Sequence, residues 1–219
     1  MKRIVKKTAA ALLAFTLTAA VFSGCGSTAS SAASADATAE STFAASAEGG
    51  ELEKVKAAGK LVIGVEGTYP PFTYHDDSGE LTGLDIELGK ALAEKLGVEA
   101  EFQEAAWDSL LIGIDSGRFD TVINSVSITD ERAEKYDFST PYAFNRTAVI
   151  TKADDDSINT LEDLKGKKTA NTISSTYAEL AEQYGATVTG VDDLNQTFEL
   201  LLSGRIDATL NAEMTFYDY

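Results

Sequence analysis

The chain has 219 residues, with 35 acidic and 18 basic side chains and a formal net charge of −17 at pH 7. A surface this acidic repels phosphate backbones, which argues against nucleic acid as a partner. The single cysteine excludes a disulfide within one chain, so the fold does not depend on an oxidised framework.

Residues 1–24 are predicted to be a secretory signal peptide. Their charges are all basic and come first: Lys2, Arg3, Lys6 and Lys7. An uncharged run from residue 8 to 21 follows, which is too short to span a membrane comfortably. Phe-Ser-Gly-Cys then resembles the lipid-attachment box of bacterial lipoproteins, although Phe22 departs from the usual Leu. We therefore expect a lipid on Cys25 that anchors the protein outside the cell membrane, at the cell surface or in the periplasm.

Residues 25–50 are predicted to be a flexible tether. After Cys25 they consist almost entirely of Ser, Ala, Thr and Gly, a composition that cannot bury enough apolar surface to fold. Without the signal peptide, the net charge of the chain falls to about −21.

Short apolar runs and helical periods then alternate in a pattern typical of α/β proteins. Leucine and alanine recur on one helix face between residues 84 and 96. In chain order the expected elements are a strand at Leu61–Val65, that helix, a helix at Trp107–Ser116, a strand at Asp120–Ile123 and a short helix after the N-cap Thr129. We assign residues 51–147 to a first lobe.

The alternation resumes in residues 148–219, which we assign to a second lobe. Its expected elements are strands at Ala148–Thr151 and Thr187–Val191, a helix at Thr176–Tyr184 into which Lys168–Ala170 leads, and a helix containing Phe198, Leu201 and Leu202. Two α/β lobes joined by short connections form a cleft, which is the usual place for a small-molecule site.

The sequence offers little for catalysis. It contains no zinc-ligand cluster, no G-x-S-x-G, no P-loop and no G-x-G-x-x-G motif. The only histidine, His75, lies in a polar stretch that reads as a hairpin turn, and we assign it no role. We expect neither an enzyme nor a cofactor nor a metal.

Several side chains suit a zwitterion instead. The planar fork of Arg132 can grip a carboxylate through two parallel hydrogen bonds. The strand before it emerges into Asn124, Ser125 and Ser127 at its carboxyl end, where α/β lobes bind ligands. Arg132 also has a structural interpretation, as a helix-surface charge paired with nearby acids. The aromatic residues Tyr69 and Trp107 are further candidates, and their structural interpretations are a buried loop anchor and part of the core.

The order of several motifs resembles the type 3 extracellular solute-binding proteins, the receptors of ABC importers for polar amino acids. The resemblance extends from Leu61 to Tyr219. The matching segments are Tyr69-Pro70-Pro71-Phe72, Gly83-Leu84-Asp85-Ile86-Glu87-Leu88, Trp107-Asp108, Asn124 to Thr129 with Arg132, and Gly204-Arg205-Ile206-Asp207-Ala208. The resemblance implies an α/β, two-lobed periplasmic-binding-protein type II fold. It also implies a monomer that closes over its ligand and delivers it to a membrane permease.

The same resemblance implies roles for individual residues. Arg132 would take the α-carboxylate with support from the Ser127 amide, and Tyr69 would stack on the bound solute. The remaining first-lobe residues, Asn124, Ser125, Glu66 and Trp107, would bind the ammonium or side chain and shape the pocket. From the second lobe, Ser175 and Thr176 would face the ligand at a helix start, where the dipole favours an anion.

Two departures affect the second lobe. Ile173-Ser174-Ser175-Thr176 replaces a Gly-rich turn. Ala212 stands where many relatives have an aspartate for the α-ammonium, flanked by Asn211 and Glu213. In a strand these neighbours point away from the face of Ala212. Either the backbone bends to present one of them, or Glu66 and the first lobe hold the ammonium alone.

Residues 208–219 are similar to the cystine branch of the family. Members of the family also return from the second lobe to the first, and this sequence stops before that return, so we interpret it as a fragment. The alternatives to solute capture are a periplasmic dehydratase of the cyclohexadienyl type, which shares the fold, and the ligand-sensing domain of a receptor.

Overall fold

A computed structural model describes residues 50–218. The predicted signal peptide, the lipid-attachment residue Cys25 and nearly all of the predicted tether lie outside the described residues. Within residues 50–218, no helix is long and apolar enough to cross a membrane.

The first lobe is built on a three-stranded parallel sheet with β1 in the centre. Its strands are β1 (Lys60–Val65), β5 (Glu99–Glu104) and β6 (Thr121–Val122), in the order β5-β1-β6. Helices α1 (Glu51–Ala58), α2 (Leu84–Leu96), α3 (Trp107–Asp115) and α4 (Asp130–Ala133) accompany the sheet. Apolar side chains of β1 and α2, among them Ile63, Val65 and Ile86, are fully buried in its core. The observed bounds of α2 are those that the apolar period predicts.

A small antiparallel sheet links β1 to α2. It contains β2 (Thr68–Tyr69), β3 (Thr73–His75) and β4 (Leu81–Thr82). Asp76 stabilises the turn between β3 and β4 by accepting hydrogen bonds from the amides of Ser78 and Glu80. His75 is exposed, as expected for a solvated histidine, but it ends β3 and lies just before the turn in which the sequence places it.

The second lobe is a four-stranded mixed sheet in the order β7-β10-β8-β9. Its strands are β7 (Thr147–Thr151), β8 (Lys168–Asn171), β9 (Thr187–Gly190) and β10 (Ala208–Ala212). Strand β7 is antiparallel to β10, whereas β10, β8 and β9 are parallel. A 3-10 turn (Leu161–Leu164) and helices α5 (Thr176–Gln183), α6 (Leu194–Leu202) and α7 (Glu213–Asp218) complete the lobe. The sequence pattern did not indicate β2, β5, α1 or α7.

The carboxyl ends of parallel strands position the polar residues of both lobes. Glu66 follows β1, Asn124 lies just beyond β6, and Thr172 follows β8. In α/β sheets this edge borders the ligand crevice. The fold is therefore the two-lobed α/β architecture that the sequence predicts.

Candidate functional site

One cavity brings together polar groups from both lobes. The cavity is open to solvent on one side. The predicted residues that line it are Glu66, Tyr69, Trp107, Ser125, Ser127, Ser175, Thr176 and Asn211. Eight of the eleven predicted ligand-binding residues thus meet at one place. The other three, Asn124, Arg132 and Glu213, lie elsewhere.

Asn124 lies behind the cavity and fixes the position of Glu66. It is fully buried, and its Oδ1 accepts hydrogen bonds from the Glu66 amide at 2.7 Å and from Thr73 Oγ1 at 3.1 Å. Its Nδ2 lies 3.4 Å from Glu66 Oε2. The pKa of the Glu66 carboxyl is raised to about 7, mainly by burial and also by the charges of Asp193 and Asp108, against the lowering effect of the Asn124 hydrogen bond.

Ser125 connects the cavity wall to the signature sequence of α2. Its backbone has a positive φ of 48°, and its hydroxyl donates to Asp85 Oδ2 at 2.9 Å. Asp85 is fully buried, and burial raises the pKa of its carboxyl. The Ser125 amide donates to the Tyr142 hydroxyl at 3.0 Å. The Ser125 side chain is therefore occupied within the first lobe.

Tyr69 bridges the two lobes. Its hydroxyl donates to Asn211 Oδ1 at 3.0 Å, and its ring packs against the second-lobe core. The ring centroid lies 5.0 Å from that of Phe72. The aromatic ring that the sequence predicts as a stacking platform thus forms part of the cavity wall where the lobes meet.

Arg132 lies in a neighbouring groove and also bridges the lobes. Its Nη1 donates to the Ser127 carbonyl at 2.9 Å, and its Nη2 donates to the Ser174 carbonyl at 3.0 Å. Its Cζ is 5.5 Å from the centroid of the Trp107 ring, within the range of a cation–π contact. Trp107, Ser175 and Thr176 border both this groove and the cavity.

Helix α5 begins where the groove meets the cavity. Ser175 caps it, since its Oγ accepts a hydrogen bond from the Ala178 amide at 3.1 Å and donates to the Thr172 carbonyl at 2.7 Å. Asp108 of the first lobe accepts hydrogen bonds from the amide and hydroxyl of the adjacent Ser174. The departure from a Gly-rich turn thus gives the second lobe side-chain contacts to the first.

The strand–helix junction at Ala212 separates its two neighbours. Strand β10 ends at Ala212, which is fully buried, and α7 begins at Glu213. Asn211 lines the cavity, whereas Glu213 donates its amide to the Arg146 carbonyl at 2.8 Å and is not among the lining residues. Of the two flanking residues, the structure therefore presents Asn211.

Six further lining residues were not anticipated from the sequence, all of them in the second lobe. They are Asn171, Thr172, Tyr177, Asp193, Leu194 and Thr197. Asn171 ends a strand and Asp193 caps a helix, so both occupy positions that usually have structural roles. Their proximity to Glu66 depends on the arrangement of the two lobes, which the sequence pattern does not specify.

Two α/β lobes that meet over a polar cavity are typical of proteins that bind a small molecule between their lobes. The family described as bacterial extracellular solute-binding proteins, family 3, matches residues 61–193. The chain belongs to this family.

Similar proteins have names that refer to amino acids. The chain is 42% identical over 178 residues to the probable amino-acid ABC transporter-binding protein of Haemophilus influenzae, covering 81% of this chain and 69% of that protein. It is 46% identical over 167 residues to the L-cystine-binding protein TcyJ of Escherichia coli K12, covering 75% of this chain and 63% of TcyJ, which is less than two thirds of its length. An ancestral arginine-binding protein bound to arginine is similar in structure, with a TM-score of 0.70, 40% identity and coverage of 74% and 73% of the two chains.

Proposed function

We propose that this protein captures a polar amino acid outside the cytoplasmic membrane and delivers it to an ABC importer. The observation that carries the proposal is the interlobe cavity, where two carboxylates, three aromatic rings and the start of a helix surround one space. An arginine lies at its border, and membership of the family supports the same function. L-Cystine is the first candidate because a relative 46% identical is named for it.

A thermal-shift screen of the twenty amino acids and L-cystine tests the proposal. A solute that binds only the folded protein raises its melting temperature in proportion to the logarithm of its concentration. We expect such a shift with at least one polar amino acid, with L-cystine tested first. Unchanged melting at millimolar concentrations of every compound would refute amino-acid capture.

We further propose that the site binds without catalysing a reaction. Among the described residues the cavity is lined by no histidine, lysine, arginine or cysteine. Its groups suit the binding of a zwitterion, and the dehydratase alternative would require turnover of a prephenate-like acid. Incubation of the purified protein with prephenate and arogenate should leave both intact. Conversion of either one would contradict passive capture.

Lipid attachment at Cys25 is a separate proposal that rests on the N-terminal sequence. The basic residues, the apolar run and Ser-Gly-Cys support it. In a bacterial host, the wild-type protein should fractionate with the membrane and the Cys25→Ala variant should not. Equal membrane recovery of the two would exclude an anchor at this residue.

A further inference from the structure

Three residues that carry acceptor groups line the cavity. Glu66 contributes a carboxylate from the first lobe, and Asp193 contributes another from the second. Asn171, at the end of β8, also lines the cavity. No lysine or arginine is among the described residues around it, so two acidic groups share a space without a protein cation.

Asn171 gives independent evidence that a donor belongs in this space. It is 4% exposed, and its Nδ2 donates to the Leu210 carbonyl at 2.7 Å. Because a carbonyl can only accept, this bond fixes the amide with its nitrogen towards Leu210 and its oxygen away. The buried Oδ1 has no hydrogen-bond partner. A buried acceptor without a partner is costly, and a ligand donor would remove that cost.

Asp193 has a structural role that uses only part of its capacity to accept hydrogen bonds. As the N-cap of α6, its Oδ1 accepts from the Gln196 amide at 3.0 Å and its Oδ2 accepts from Gln196 Nε2 at 3.1 Å. A carboxylate offers about four acceptor positions, so each oxygen can accept another hydrogen bond. Its charge also acts on Glu66, because it contributes to the raised pKa of that carboxyl.

We propose that Asp193 binds the ammonium group of the amino acid, together with Glu66 and the free oxygen of Asn171. This inference rests on the proposed function and specifies how the site recognises its ligand. An ammonium has three donors and a positive charge, which match three acceptors and two negative groups. Asp193 thereby supplies the second-lobe acid that Ala212 cannot supply. A ligand bound in this way also connects the two lobes.

The test compares Asp193→Asn with Asp192→Asn. Both variants remove one negative charge, but Asp192 is exposed and is not among the lining residues. Asparagine caps a helix about as well as aspartate, so neither variant should lower the melting temperature of the ligand-free protein. Every compound of the thermal-shift panel that binds the wild type is then titrated into both variants by calorimetry.

We expect D193N to weaken binding by about 10- to 100-fold, because it removes the charge that faces the ligand ammonium, and D192N to change it by less than about twofold. Equal affinity of D193N and the wild type overturns the inference and leaves the proposed function intact. An equal loss in both variants also overturns it, since the effect would then come from net charge. If no compound binds the wild type, the proposed function fails and the inference fails with it.

Discussion

The cleft between the lobes has an acidic end, which is the cavity, and a basic end, which is the neighbouring groove with Arg132. The two ends differ in how far protein groups already pair with their charges. At the acidic end, Glu66 and Asp193 share a cavity, and the buried Oδ1 of Asn171 has no partner. At the basic end, both terminal nitrogens of Arg132 already donate to backbone carbonyls, one in each lobe. A cation would therefore give the acidic end the partner that it lacks. At the basic end, an anion would replace neutral partners that are already present.

This difference explains how one zwitterion could act on both ends. The positive charge of an ammonium between the carboxylates would offset their mutual repulsion and the cost of burying the Glu66 charge. A ligand carboxylate near Arg132 would replace a bond to a neutral carbonyl with a bond between two opposite charges. Helix α5 begins at the same border and favours the same negative group.

Removal of Arg132 should have the largest effect. We expect Arg132→Ala to weaken amino-acid binding by about 2–5 kcal/mol, because the ligand carboxylate loses a charged partner in a half-buried site. Arg132→Lys is the matched control, since it keeps the charge but loses the two-pronged geometry, and it should give an intermediate loss. Titration calorimetry measures both. An Arg132→Ala affinity equal to that of the wild type would remove Arg132 from the site.

Titration of Glu66 at the acidic end should change the binding free energy by about 1.4 kcal/mol between about pH 8 and pH 6. Without ligand the pKa of Glu66 is about 7, and a bound ammonium lowers it. The carboxylate is therefore ionised before binding at about pH 8, whereas at about pH 6 binding must first remove its proton. Affinity should fall about tenfold between these values as the pH decreases.

Glu66→Gln supplies the control for this pH dependence. The amide cannot titrate, so the variant should bind more weakly at high pH and lose most of the slope between about pH 8 and pH 6. The exposed His75, whose pKa is raised by its bond to the Gly79 carbonyl, provides a comparison outside the cavity. If the slope persists in Glu66→Gln and disappears in His75→Asn, the titrating group is His75 and the prediction for Glu66 is wrong.

Removal of the hydrogen bond between Tyr69 and Asn211 should have the smallest effect. Tyr69→Phe keeps the ring but removes the hydrogen bond from its hydroxyl to Asn211 Oδ1. That oxygen retains the Ala212 amide as a donor at 2.7 Å, so no buried acceptor is left alone. We expect a loss of about 0.5–1.5 kcal/mol in calorimetric affinity. A loss as large as that of Arg132→Ala would mean that lobe closure, rather than charge, dominates binding.

The sequence predicts the first lobe better than the second, for physical reasons. The helix at residues 84–96 follows from its apolar period, and Thr129 does cap α4 by accepting from the Arg132 amide. Glu66 and Ser125 lie in the cavity wall because they follow strands of one parallel sheet. These relations are local, so the pattern of residues is sufficient to predict them.

The second lobe depends on relations between distant segments. A buried Asn at a strand end and an Asp at a helix start usually have structural roles, so Asn171 and Asp193 gave no signal of a site. The prediction that Glu213 shares a strand with Asn211 was wrong, because β10 ends at Ala212 and α7 begins at Glu213. The position of the Arg132 fork depends on the carbonyls of Ser127 and Ser174, which become neighbours only when the lobes meet.

The most direct measurement compares the affinity of the amino acid that gives the largest melting shift with the affinities of two of its analogues. One analogue lacks the carboxylate and the other lacks the amino group, so each one engages only one end of the site. If both ends act together, both analogues should bind at least about tenfold more weakly than the intact amino acid, as judged by titration calorimetry. Affinity equal to the parent compound for either analogue would contradict recognition of a zwitterion between Arg132 and the acidic pair.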